Sequence, residues 1–252
     1  MKHITALVLC AFTVCSCQNR RYQVGTQEYM SHMNNEVIID CDMILEEALA
    51  NVPEDCPEMI TKNLALVEVF YFSFDHRIHR GQLLIDYRLA DDVHNIFAAM
   101  LDARFPLYGA VPIDHSSHNW DYYDTLPEGN TYSFHYRNIV FKNQLSYHGY
   151  GQAIDVNPVL NPFRKWGVTF PPNGTYNPKE PGTLYEGHPV VAAFQRHGWK
   201  WGGEWRRKDY QHFQKPIKGR HDIHTAENPG VIYWPKSLRR DLSGERFFTL
   251  TH

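Results

Sequence analysis

Leu145-Ser-Tyr-His-Gly-Tyr-Gly-Gln-Ala-Ile-Asp-Val-Asn-Pro158 gathers a histidine, two glycines and an aspartate into one short turn-and-strand segment. His148 and Asp155 are too far apart for one turn of helix, so a bend must bring them together, and Gly149 and Gly151 supply it. A strand beginning at Ala153-Ile-Asp155 presents Asp155 on the face opposite Ile154, which can then face a core. A second histidine follows downstream in Asp209-Tyr-Gln-His-Phe213. His148, Asp155 and His212 together make a ligand set for Zn2+, which in hydrolases takes His and carboxylate ligands and leaves one position open for water. Asp209 is a carboxylate not needed as a ligand, and its spacing from His212 lets it act on that water.

The rest of the chain sets the frame for such a site. Its 252 residues, 43% hydrophobic and 14% aromatic, suffice for a packed core. A formal charge of -3 without a long Lys/Arg run lacks the basic footprint that neutralises phosphates, which excludes nucleic acid as a partner. Residues 1–17 read as a signal peptide: Lys2 and His3 precede an apolar run from Ile4 to Val14, too short for a permanent span. Val14-Cys-Ser-Cys17 resembles a lipoprotein processing box, which points to membrane attachment through a lipidated Cys17, with ordinary secretion as the alternative. Residues 18–35 are polar and aperiodic and read as a flexible tether, and residues 36–252 as one domain, expected to be monomeric. Cys41 and Cys56 would remain in an oxidising compartment, either bridged or as free thiols.

Along that domain, Val37, Ile38, Cys41, Ile44, Leu45, Ala48 and Leu49 have helical spacing that Pro53 ends. Leu64 to Phe74 and Gln82 to Tyr87 read as two strands of a hairpin, with His76 and His79 as solvated residues of the turn between them. Asp91 to Phe105 is an amphipathic helix, and Leu107 to Ile113 a short strand. Asp114, His115, His118, Asp121 and Asp124 fall in a polar connection, and Asn130 to Asn138 forms a strand ending near Arg137. Asn161 to Gly187 is a long Pro/Gly/Asn-rich loop, Pro189 to His197 another helix, and Phe247 to Leu250 a closing strand or cap.

Zinc lowers the pKa of water from about 15.7 to near 7, and a nearby carboxylate can take the proton during attack on a carbonyl and pass it to a leaving amine. Asp209 fits that acid/base role. Arg137 would polarise the scissile carbonyl, a contribution of about 3 kcal/mol if it acts like a single oxyanion donor. In Trp199-Lys-Trp-Gly-Gly-Glu-Trp205 the glycines let the backbone approach the ring faces, so Trp201 and Trp205 are candidate walls of a substrate cleft, and Ser146, close to the first ligand, is a third candidate substrate-binding residue.

The pattern Ser146-x-His148-x-x-Gly151-x-Ala153-x-Asp155, then Trp201-Gly-Gly and Asp209-x-x-His212-Phe213, resembles the zinc D-alanyl-D-alanine carboxypeptidase family of VanY-type peptidoglycan peptidases, whose motifs phage L-alanyl-D-glutamate endopeptidases share. The resemblance extends more loosely from about Leu64 to Phe213 and includes Asn157-Pro-x-x-Asn-Pro162. It implies that His148, Asp155 and His212 bind Zn2+, that Asp209 is the acid/base and that Arg137 contacts substrate. It further implies an α+β fold of the Hedgehog/DD-peptidase-like type, a central antiparallel sheet flanked by helices with the site at one end. The expected substrates are peptidoglycan stem peptides, reached by an exported protein that is periplasmic or membrane-anchored. Tyr132 and His135 depart from the family, which has smaller or amide side chains there. Two rival readings are an inactive zinc-containing cell-wall binding module and a non-haem iron oxygenase; oxygenases place their His and acid two apart on one strand, unlike the wider spacing here.

Overall fold

The computed structural model describes residues 37–113, 129–139, 142–165, 167–217, 230–235 and 238. The signal and tether segments, the acidic connection from Asp114 to Asp124 and the stretch Phe247 to Leu250 lie outside the described residues. The order of elements is β1 (Ile38–Ile39), α1 (Leu45–Ala48), α2 (Glu58–Thr61), β2 (Leu64–Ser73), β3 (Ile78–Asp86), α3 (Ala90–Asp102), β4 (Pro106–Leu107), β5 (Ala153–Asp155), β6 (Phe163–Lys165), β7 (Val168–Phe170), α4 (Pro189–Arg196), β8 (Lys200–Trp201), β9 (His212–Gln214) and β10 (Val231–Ile232).

β2 and β3 form the expected hairpin, antiparallel from Leu64↔Asp86 to Phe72↔Ile78. β2 is buried along its whole length because both of its faces are covered. On one side Val67, Val69 and Tyr71 join a core with Val93, Phe97 and Met100 of α3 and Val190 and Phe194 of α4; on the other Leu64 and Leu66 meet Leu45, Ile60 and Phe134. A strand so enclosed reads as a continuous apolar run rather than an alternation.

The architecture is mixed α/β with several sheets rather than one antiparallel sheet. In the first sheet β1 pairs parallel with β3, and β4 and β10 pair parallel with β2. A second, antiparallel sheet has the order β5-β9-β8, and β6-β7 is a separate hairpin. Of the metal-ligand candidates, Asp155 and His212 sit on this second sheet and His148 on the turn before it, which Gly151 and Gln152 tie to Asp86 at the end of β3. Ile154 of β5 and Phe213 of β9 anchor the second sheet to the main core, and Phe213 stacks on Phe194 of α4 at 3.7 Å between ring centroids.

Several local expectations change. The helical period from Val37 yields only α1, because Ile38 and Ile39 pair with His79 and Arg80 at the sheet edge and the tertiary ladder overrides the local period. The strand expected over Leu107 to Ile113 is reduced to β4 and a bridge from Ala110 to Thr131. Part of the long loop after Asn161 folds as the β6-β7 hairpin. Both cysteine thiols are free; Cys41 donates to Gln82 Oε1 at 2.9 Å, and burial pushes both pKa values up to about 11.

His79 is not a solvated turn residue. It lies in β3, with Nδ1 2.8 Å from Asp40 Oδ2 and Nε2 3.1 Å from Asp75 Oδ2, and it stacks on Tyr71. Burial pulls its pKa down, but the two carboxylates outweigh burial and the net direction is upward. A folded pKa above the unfolded one adds stability that is complete below the unfolded value of about 6.5 and is lost as pH rises through the folded pKa. The stability difference between wild type and His79→Ala, from denaturant titration with chelator present, is therefore expected to be largest below about pH 6.5 and to shrink at alkaline pH. A difference that grows with pH would contradict this.

Candidate metal centre

Sheet register brings the ligands together. Asp155 of β5 and His212 of β9 are direct cross-strand partners, so their side chains leave the sheet on the same face. His148 arrives from a 3-10 turn over Tyr147–Tyr150, capped by Ser146, whose hydroxyl oxygen accepts from the His148 N–H at 3.3 Å. Gly151 ends that turn at φ 64, where an L side chain is strained and a Cβ would stand 2.7 Å from Asp86 N. The Gly151 carbonyl accepts from Asp86 N at 2.9 Å, and Gln152 donates to Asp86 Oδ2 at 3.0 Å, which fixes the turn to the end of β3. After β5, Asn157 adopts φ 44 and donates to Pro106 O and Gly182 O, and Asn161 donates to Gly182 O and accepts from Leu184 N. The two asparagines of the Asn-Pro-x-x-Asn-Pro segment thus hold the chain that leaves the site.

The three candidate ligand atoms converge in a dry place. His148 Nε2 lies 3.2 Å from His212 Nδ1 and 3.1 Å from Asp155 Oδ1, and His212 Nδ1 lies 2.9 Å from that same oxygen. The residues are 1%, 2% and 8% exposed for His148, Asp155 and His212. Tetrahedral ligands each about 2.0–2.1 Å from a zinc ion stand roughly 3.3 Å apart, so a small shift admits the ion. Each imidazole is also turned correctly. His148 Nδ1 donates to Ser133 O at 2.6 Å and His212 Nε2 donates to Gln214 Oε1 at 3.1 Å, which aims the opposite nitrogens at Asp155.

Burial opposes the Asp155 charge, but the two imidazoles hold its carboxyl well below the usual range. Burial also pushes the His148 pKa down, which favours the neutral ring a metal needs. For His212, burial is outweighed by Asp155 and Asp209, and its pKa rises. Without a cation, a proton between His212 and Asp155 offsets the convergence of acceptors; a divalent ion would displace it.

Asp209 sits beside this centre. Burial drives its carboxyl up to about 7, against the opposing pull of His212 and Arg137, and its Oδ1 is buried without a hydrogen-bond partner. The charge of Arg137 is felt at His135, His148 and Asp209, and its Nη1 donates to Asn138 O at 3.4 Å. Trp205 is 37% exposed, with its ring centroid 5.4 Å from that of His212, so it stands at the edge of the site. Trp201 is 2% exposed and donates its indole N–H to Tyr210 O at 2.8 Å, so it packs under the site instead of lining an open cleft.

Residues 141–215 match the D-alanyl-D-alanine carboxypeptidase family. This segment is a domain of that family. It contains His148, Asp155, Asp209 and His212, and with the His/Asp/His triad it makes the protein a metallopeptidase. Arg137, Tyr132 and Ser133 lie ahead of the matched segment. No curated protein and no solved structure matches the chain.

Two contributors to this metallopeptidase centre escape a motif reading. Gln214 is legible in principle, because it lies two residues beyond His212 on a strand and so shares its face. The Ser133 carbonyl leaves no side-chain signal. The glycines after Trp201 gain a role in packing: a Cβ on Gly202 would stand 2.5 Å from Asp209 O, and one on Gly203 would stand 2.2 Å from the Trp201 ring. Gly202→Ala is expected to displace Asp209 while leaving the ligands in place. Bound metal measured by atomic absorption should stay stoichiometric while kcat falls about a hundredfold, the scale of a 1 Å misplacement. Metal loss in parallel with activity would show that Gly202 supports the ligands instead.

Proposed function

We propose that this protein is a zinc-dependent peptidoglycan peptidase that hydrolyses a peptide bond in cell-wall stem peptides. The observation that carries the reading is the buried His148, Asp155 and His212 ligand set with the carboxylate of Asp209 beside it, whose Oδ1 has no hydrogen-bond partner. Two imidazoles and one carboxylate are the donor set of catalytic zinc sites, which supports Zn2+ as the resident ion. When bound, the ion supplies Lewis-acid polarisation of the carbonyl and makes water a competent nucleophile at neutral pH.

The chain's own residues then divide the work. Asp209, whose environment raises its pKa toward neutrality, accepts the proton of the attacking water and delivers it to the leaving amine. Arg137 provides a cation for the carbonyl oxygen or for a free carboxylate of the substrate. Trp205 offers an apolar wall at the mouth, and Ser146 acts from behind by holding the His148 turn. The family match supports a Hedgehog/DD-peptidase-like arrangement and makes the terminal D-alanyl-D-alanine bond the first to test, with the L-alanyl-D-glutamate bond second. The proposed location is outside the cytoplasm, supported by the apolar segment behind Lys2, with Cys17 as the proposed lipid attachment point.

Incubation of the zinc-loaded protein with purified muropeptides, followed by mass spectrometry, is expected to show loss of one D-Ala or separation at L-Ala–D-Glu. Intact muropeptides would defeat the proposal, and stoichiometric iron with oxygen-dependent turnover of a 2-oxo acid would replace it with the oxygenase reading. Asp209→Asn should keep zinc and lose about 10²–10⁴-fold in kcat, the range assigned to a general acid/base. His148→Ala should lose both metal and activity. Full activity in Asp209→Asn would remove the role given to that carboxylate.

A further inference from the structure

Tyr132 is fully buried and in direct contact with two of the candidate ligands, and the hydrolytic scheme leaves it unused. It faces Asp155 across an antiparallel bridge, with Tyr132 N donating to Asp155 O at 3.2 Å and Asp155 N to Tyr132 O at 3.0 Å. Asp155 in turn faces His212. Tyr132, Asp155 and His212 therefore occupy successive rungs of one ladder, where side chains project from the same face.

The contacts follow from that placement. The Tyr132 hydroxyl donates to Asp155 Oδ2 at 2.7 Å, while Oδ1 of the same carboxylate is the oxygen directed at His148 and His212. The tyrosine ring also stacks on His148, with centroids 5.1 Å apart and planes 24° from parallel. The next residue, Ser133, accepts from His148 Nδ1 through its carbonyl.

We infer that Tyr132 is a positioning residue of the metal centre, whose hydroxyl occupies one oxygen of Asp155 so that the carboxylate presents only the other to the ion. A free carboxylate can rotate or bind through both oxygens; a donor on Oδ2 removes both options and satisfies an acceptor that is otherwise buried. The ring limits the tilt of a second ligand, His148, so one side chain restrains two of the three. Simple core filling would need only the ring, which phenylalanine reproduces. The inference rests on the metal-site part of the proposed function and is independent of which bond is cleaved.

The test compares wild type and Tyr132→Phe by titrating the metal-free proteins with Zn2+ and Co2+ against a chromophoric chelator. The expected result is a Kd about 10–100-fold weaker in the variant, the usual scale for a partner that orients a ligand. The visible spectrum of bound Co2+ should change as well, with little change in the melting midpoint of the metal-free protein. Equal Kd values and identical Co2+ spectra would overturn the inference, as would a lower metal-free midpoint with unchanged metal affinity. Failure of wild type to bind either ion would instead overturn the metal-site reading and this inference with it. If Tyr132→Phe does not fold, proton NMR of Co2+-loaded wild type decides. The Tyr132 hydroxyl should add a hyperfine-shifted, solvent-exchangeable proton to the two imidazole N–H protons, and its absence would overturn the assignment.

Discussion

A buried anion, Asp155, organises the centre of this molecule. Removing a carboxylate from water is costly, and it persists in a protein interior only when donors and cations surround it. Here His148 and His212 face one oxygen and Tyr132 the other, while the backbone of Asp155 pairs with Tyr132 on one side and His212 on the other. Each partner comes from a different part of the chain, so the charge can be accommodated only when the 3-10 turn, the Tyr132 segment and β9 are all in place. Removing any one leaves a buried charge short of its partners.

The scaffold around this centre converts packing into position. Phe213 adjoins the ligand His212 and enters the same core as Phe194 and Trp201, so β9 cannot slide without breaking the stack. A slip by one residue would send His212 into the core and Phe213 into the site. On the other side, Asp86 at the end of β3 is bound to Gly151 and Gln152, so the long β2-β3 hairpin fixes the height of the turn that carries His148. The close approach of Gly202 to Asp209 does the same for the proposed acid/base. Trp201-Gly-Gly is thus a packing device that fixes the position of Asp209.

Much of this was legible before any coordinates. β2, β3, α3 and α4 announce themselves by strong periods and composition, and the structure places them within a few residues of the sequence reading. The candidate ligand set was legible because metal coordination demands particular side chains and the glycines between them reveal a bend. Weak elements were not. β1 has a helical period yet lies along β3, because two residues at a sheet edge gain more from ladder hydrogen bonds than from a short helix with little to pack against. His79 looked solvated because Asp40, distant in sequence, meets it only through the fold, while Asp75 reaches it across the hairpin turn.

By itself the sequence determined which side chains are available for chemistry: two histidines and an aspartate as ligands, a spare aspartate, and a chain whose glycines permit tight turns. These are properties of residue type and short-range spacing, where physical chemistry acts locally. Only the tertiary structure decided that two of the candidate ligands stand on a second sheet, that these two, Asp155 and His212, share a rung, and that the Trp201 ring is buried beneath the site. It alone joined the Tyr132 hydroxyl and the Ser133 carbonyl to the metal centre. Such contacts arise from strand register and core packing between segments distant in sequence, and no local pattern of residues encodes them.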